Sequence, residues 1–116
     1  MTGKTVILVT RRNLGHVARE DQAFGTEMLD KFFHVLEAHP IKPQALCFYT
    51  EGVKAVCGGS PHIMGLELLQ GLGVRIVACQ SCLNYYGLSD KIAVGEVVGM
   101  PQIVELLMEA DNVITI

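Results

Sequence analysis

Two cysteines three positions apart, Cys79 and Cys82, hold the most chemical potential in this chain. They lie in "RIVACQSCLNYYGL" (75–88), where a β-branched apolar run stops at the first cysteine and the second follows about one helical turn later. A thiol that ends a strand and leads into a helix faces the positive end of the helix dipole and its free N–H groups. Both favour the thiolate, the reactive form. Cys79 is therefore the expected nucleophile, the thiol that a limiting dose of alkylating agent should reach first. Cys82 is placed to close a disulfide with it or to relay a sulfur atom. A C-x-x-C in a chain of this kind points to redox, metal or sulfur chemistry rather than to a structural staple. Structural zinc needs four ligands. The other two would have to come from Cys57, His62 or His16, and the chain has no second C-x-x-C and no H-x-x-x-H. No metal is expected. Cys47 lies mid-strand and reads as core, and Cys57 as structural.

A second group of candidates could bind rather than react. "CGGSPH" (57–62) is a glycine turn entering a helix, and the backbone N–H groups of Gly58, Gly59 and Ser60 could hold an anion. Arg11, Arg12, His16 and Arg19 make the segment 10–20 basic; of these, Arg11 and His16 are the binding candidates. His34 and His39 fall late in a helix, where cationic character suits the helix end. Tyr85 and Tyr86 read as packing residues. G-x-S-x-G, the P-loop lysine pattern and the dinucleotide turn G-x-G-x-x-G are all missing, so no cofactor is expected.

These residues need elements to hold them. "TVILVT" (5–10), "ALCFYT" (45–50), "VRIVAC" (74–79) and "NVITI" (112–116) are short apolar strands, and "KIAVGEV" (91–97) is a weaker one. Continuous apolar runs suit strands covered on both faces. Between them, Asp21 to His39 carries Phe24, Met28, Phe32, Val35 and Leu36 at helical spacing, capped by Asp21 and stopped by Pro40. Ser60-Pro61 opens a second helix, with Ile63, Leu66, Leu69 and Leu72, ended by Gly73. Residues 80–87 make a short helix. Pro101 opens a last one, with Ile103, Val104, Leu107 and Met108 on its buried side. Strands alternating with helices imply one α/β domain over residues 1–116: a five-stranded, mostly parallel sheet in a three-layer α/β/α arrangement. Ligands bind outside the carboxyl ends of such strands. Three segments should meet there: 10–20, 50–60 and the one starting at Cys79.

Composition limits the partners. Of 116 residues half are hydrophobic and 18% charged, with a net charge of -3. The mean hydropathy is +0.37. Without a clustered basic run, nucleic acid is not expected as a partner. The longest apolar runs fall far short of the roughly 18 residues of a membrane span. The surplus apolar surface is expected in a homo-oligomeric interface. The opening "MTGKTVILVTRR" lacks the pattern of a signal peptide. Four cysteines without an export signal then point to the reducing cytoplasm.

Four segments together carry a resemblance. "LGHVAREDQAFGTEML" is similar to an L-G…D-x-x-x-G-x-x-L opening, and "FYTEGVKAVCGGSP" to an F-Y-N-x-G-V-x-x-x-x-x-G-S segment. "GVRIVACQSCLNYYGL" is similar to G-V-x-I-x-x-C-G-x-C-L-x-x-Y-x-L, and "VGEVVGM" to V-G-x-x-x-N-M. These are patterns of the DsrE/DsrF-like family, and within it of the C-terminal domain of YedF-type proteins. Gln80, Thr50 and Gly99 stand where those patterns have glycine, asparagine and asparagine. The resemblance implies a flavodoxin-like fold and a role in sulfur handling. Family carriers hold sulfur as a persulfide on a cysteine at the end of this strand, the position of Cys79, and assemble as trimers or hexamers; a trimer is favoured here. The leading expectation is thus a sulfur carrier or sulfurtransferase-like protein that takes sulfur from a donor protein onto Cys79 and passes it to a partner thiol with the help of Cys82. A thiol–disulfide redox or sensor protein using the same pair, and a non-catalytic oligomeric subunit that binds a small ligand, are the alternatives.

Overall fold

The computed structural model describes residues 4–116. Five strands form one sheet: β1 (Thr5–Val9), β2 (Ala45–Phe48), β3 (Arg75–Cys79), β4 (Glu96–Val98) and β5 (Asn112–Thr115). Four α-helices accompany them: α1 (Gln22–Ala38), α2 (Ile63–Gly71), α3 (Gln80–Tyr85) and α4 (Met100–Glu109). The strand order is β4-β3-β2-β1-β5, and every pair is parallel. The expected α/β fold with a parallel five-stranded sheet is present.

The topology follows from chain chirality. From β1 to β4 each strand is laid down beside the last in one direction; β5 then returns to the far side of β1. Parallel crossovers are right-handed, so α1, α2 and α3 share one face and α4 covers the other. α1 and α2 pack against each other. One helix, ~10 Å across, cannot cover five strands spaced about 4.8 Å apart. The central strands β1 and β2 are buried almost throughout, whereas all of β5 and most of β4 are exposed. Val97, Val113 and Ile114 therefore leave apolar surface open at both edges.

The sequence periodicity placed some faces one residue away from where packing puts them. In α1 the residues fully buried on the sheet are Gly25, Leu29 and Phe33, while Phe24 and Val35 face outward. In α4 they are Ile103 and Leu106; Val104 and Met108 are exposed. Both helices have apolar residues on two adjacent stripes, so periodicity alone could not choose between them. β4 is shorter than the run 91–97 and starts at Glu96. α2 begins at Ile63, two residues past Pro61, after a turn in which Ser60 Oγ accepts the His62 N–H at 3.1 Å. Asp21 precedes α1 without a side-chain cap, behind a 3-10 turn over Arg19–Asp21. α4 has its own lock: the Gln102 side chain accepts the Gly99 N–H at 2.8 Å.

Candidate functional site

The carboxyl ends of β1, β2 and β3 bring the three expected segments together. After β2 the chain forms a 3-10 helix, Thr50–Val56, which buries Gly52, Val53, Ala55 and Val56. Gly52 is the closest approach of this segment to β1. A Cβ there would lie 2.0 Å from the Val9 carbonyl oxygen, so only glycine fits. The preceding segment is fixed by Asn13, which is buried. Its side-chain amide donates to Gln22 Oε1 at 2.8 Å and its carbonyl accepts from Thr26 Oγ1 at 3.1 Å. Both partners are on α1, so the basic segment is anchored rather than loose.

Cys79 is the last residue of β3 and the cap position of α3; Cys82 lies inside α3. Both thiols are free. Cys79 is 0% exposed and belongs to the core. Cys82 is half-buried, and its sulfur accepts the Thr50 N–H at 3.0 Å. The expectation that Cys79 meets a reagent first therefore fails on access. Helix α3 turns Cys82 outward, and the packing of β3 under the 3-10 segment closes over Cys79. Burial pushes the Cys82 thiol above its ordinary pKa; the Thr50 N–H acts against this, and the neighbouring Cys79 thiol adds to it.

Thr50 holds the N–H in place at a conformational cost. Its φ is 49°, a left-handed conformation that a β-branched residue rarely adopts. Its hydroxyl donates to the Thr10 carbonyl at 2.9 Å and lies 2.7 Å from its own neighbour's carbonyl at Tyr49. These contacts tie the start of the 3-10 segment to the end of β1 and aim the Thr50 N–H at the sulfur. A cavity of about 310 Å³ opens on Cys82, lined by Thr50, Ser81, Tyr85 and Tyr86. The tyrosines, expected to pack, are exposed: Tyr85 is 83% accessible, and the two rings meet edge to face with centroids 5.1 Å apart. They wall the approach to the thiol.

The binding candidates divide between two places. Arg11 and His16 lie together, Nη1 to Nδ1 at 3.3 Å, and Arg11 lines a hollow of about 290 Å³ with Thr10, Thr50, Glu51 and Tyr86, beside the thiol cavity. Gly58, Gly59 and Ser60 line a different cleft of about 300 Å³, where the arginine is Arg12 and not Arg11. Lys54 joins the two regions: it lines this cleft and its ammonium sits 4.6 Å above the Tyr86 ring. Arg12 and Thr50, noted in the sequence without a site role, and Lys54, not singled out at all, are the functional residues that the sequence did not reveal. The signal available for Thr50 was that it stands at the asparagine of the F-Y-N pattern, and asparagine is a residue that tolerates positive φ.

Of the remaining cysteines, Cys47 sits apart from this site, whereas Cys57 lines the Gly58–Ser60 cleft. Cys47 is fully buried, with burial raising its pKa to about 11. Cys57 is buried, donates its S–H to the Val53 carbonyl at 3.2 Å, and is likewise raised by burial. Among the described residues no three His, Cys, Asp or Glu side chains cluster as a metal site would require. None of the described helices is long and apolar enough to cross a membrane.

The sequence pattern of the DsrE/DsrF-like family matches residues 25–116. The chain belongs to the DsrE/DsrF-like family. Solved structures of this family member's fold include the ychN protein from E. coli, with a TM-score of 0.70 at 20% identity, covering 99% of this chain and 100% of that one. MTH1491 from Methanobacterium thermoautotrophicum, described as of unknown function, gives 0.69 at 19% identity, with 99% and 100% covered. BT1422 from Bacteroides thetaiotaomicron, also described as of unknown function, gives 0.66 at 17%, with 97% and 95% covered. Likeness at this identity concerns the fold. No curated protein matches the chain.

Proposed function

We propose that this DsrE/DsrF-like protein is a sulfur carrier whose Cys79–Cys82 pair takes up sulfane sulfur and holds it as a persulfide. The observation that carries the reading is the arrangement of the pair. One thiol is open to solvent under a backbone N–H donor, and the second is sealed in the core about one helical turn away. The Cys82 thiolate attacks the outer sulfur of a donor persulfide, R–S–SH. An S–S bond forms to Cys82, the donor's S–S bond breaks, and the donor leaves as a thiolate. Attack by Cys79 on the same outer sulfur transfers it inward and regenerates the Cys82 thiolate. No net oxidation occurs in either step. Burial shields a persulfide on Cys79 from stray thiols; the reverse transfer through Cys82 returns the sulfur to an acceptor.

A carrier needs a nucleophilic thiol and a docking surface, and little acid–base machinery. The vestibule of Tyr85 and Tyr86 is suited to a protein donor or acceptor. The apolar surface on β5, α4 and α1 supports assembly into a homo-oligomer, with a trimer favoured on family grounds. A cytoplasmic setting suits thiols that must stay reduced. The reading is tested by loading single variants with a persulfide donor. Cys82→Ser should load slowly, because Cys79 is shut in. Cys79→Ser should load on Cys82 but lose the sulfur quickly to added small thiols. Equal loading and equal retention in both variants would remove the relay.

A further inference from the structure

The cleft beside the thiol pair has a character of its own. It is lined by Arg12, Lys54, the Gly58–Ser60 turn and His62. No carboxylate lines it, and among the described residues neither the Arg12 guanidinium nor the Lys54 ammonium forms an ion pair. The nearest acidic groups are already engaged. Glu51 accepts the Arg12 backbone N–H at 3.3 Å, and Asp30 lies behind His62 and also pairs with His34 at 3.4 Å. Two cations on one small concavity without a counter-charge raise the local potential for an anion.

The backbone adds one donor. Gly59 has φ +88°, and its N–H is without a hydrogen-bond partner among the described residues. The turn leads into α2, nine residues long, whose cap position makes no side-chain cap bond. The other two N–H groups of the turn, expected from the sequence to be donors as well, are taken: Gly58 donates to the Lys91 carbonyl at 2.8 Å and Ser60 to the Cys57 carbonyl at 3.1 Å, so Gly59 supplies the free one.

His62 is the independent observation. It is 1% exposed and forms part of the cleft wall, yet neither ring nitrogen makes a hydrogen bond. Asp30 Oδ1 is 3.6 Å from Nδ1, and the Arg12 carbonyl is the other acceptor near the ring; both fall short of bonding it. A buried imidazole held only by such long contacts is costly.

We propose that this cleft binds a small tetrahedral oxyanion of the sulfate, thiosulfate or phosphate type, held by Arg12, Lys54 and the Gly59 N–H beside His62. The inference does not depend on persulfide chemistry at Cys79 and Cys82. Because Lys54 also lies over Tyr86, a bound oxyanion would sit next to the entrance of the thiol cavity, where it could tune access to Cys82.

The test is titration of the full chain with sodium sulfate, phosphate and thiosulfate at constant ionic strength, followed by amide and histidine ring NMR signals. Saturable shifts at Gly59, Ser60 and His62 are expected, with affinity weakened roughly tenfold or more in Arg12→Gln and in Lys54→Gln. Arg11→Gln, on the neighbouring hollow, should leave it within about twofold. Thiosulfate binding tighter than phosphate would place the ligand in sulfur metabolism; the reverse would place it in phosphate chemistry. Shifts that never saturate, or that weaken equally in Arg11→Gln and Arg12→Gln, would show general charge screening and overturn the site. Loss of sulfur loading with anion binding intact would count against the carrier reading alone.

Discussion

The Thr50 N–H points at the Cys82 sulfur from 3.0 Å, delivered by a threonine held at φ 49°. A β-branched residue in that conformation is strained by roughly 1–2 kcal/mol. The hydroxyl bond to the Thr10 carbonyl helps to offset it. Thr50→Val keeps the strain and removes the hydroxyl bond, so it should lower stability by about 1 kcal/mol. It should also shift the pH profile of Cys82 alkylation upward as the N–H loses its aim. Thr50→Asn suits positive φ and should raise stability by up to ~1 kcal/mol. Denaturant unfolding and alkylation rates against pH check both; a Thr50→Val protein with unchanged stability and profile would contradict this role.

Burial first, and then the neighbouring Cys79 thiol, hold the Cys82 pKa above its ordinary value. Cys79 raises the Cys82 pKa, and a high pKa means less thiolate at a given pH. Removing Cys79 should therefore lower the Cys82 pKa and speed its alkylation at neutral pH. In the wild type a limiting dose of iodoacetamide should label Cys82 before Cys79, Cys47 or Cys57, which peptide mapping would read directly. Slower labelling of Cys82 in Cys79→Ser would show that the pair is not coupled.

Gly52 should be the least replaceable residue of the 3-10 segment. A methyl group at this position meets the Val9 carbonyl, part of the backbone, which cannot swing aside. Gly52→Ala should cost roughly 3 kcal/mol or prevent folding. Gly71→Ala, where nothing lies within 4 Å, should be tolerated in the same thermal scan. Equal melting temperatures for the two variants would mean that the 3-10 segment does not sit against β1 as described.

His62 should make the fold sensitive to acid. Burial lowers its pKa below the ordinary 6.5, with Asp30 and the Arg12 backbone pulling the other way. A depressed folded pKa means that the unfolded chain takes up the proton first. Stability from this group is thus complete above about pH 6.5 and lost as pH falls through the lower folded value. His62→Phe should flatten that part of the stability–pH curve, measured by urea unfolding between pH 7.5 and about 5. An unchanged slope would exclude His62 as the cause.

The protein should not be a monomer. Phe24, Val35, Met64 and Met108 are all more than half exposed, and the edge strand β5 is open along its length. A surface of this kind marks an interface. Light scattering at micromolar concentration should give a multiple of the 12.6 kDa chain; the monomer mass would refute the assembly.

Much of this was legible in the sequence because the signals were local. Short apolar runs marked β1, β2, β3 and β5, and the turn "CGGSPH" and the pair Cys79–Cys82 fell at the carboxyl edge as the alternation of strands and helices required. What could not be read was which neighbour covers which residue. The rank of the two thiols was inferred from the helix dipole, but the six-residue α3 and the 3-10 segment above it settle access instead. The segment 50–60 read as a loop because Gly52, Gly58 and Gly59 interrupt it, whereas its first half is a buried 3-10 helix. Arg11 and Arg12 are adjacent in sequence but line different cavities, and no spacing in the chain tells which of them meets the glycine turn.

The central claim is that sulfur is carried on this pair of thiols. The most direct measurement is the intact mass of the protein after incubation with a persulfide donor and removal of excess reagent. Wild type, Cys47→Ser and Cys57→Ser should each gain about 32 mass units, one sulfur atom, mapped to the peptide containing Cys79 and Cys82. The Cys79→Ser, Cys82→Ser double variant should gain none. An adduct that persists in the double variant, or a wild-type protein that takes up no sulfur, would contradict the account.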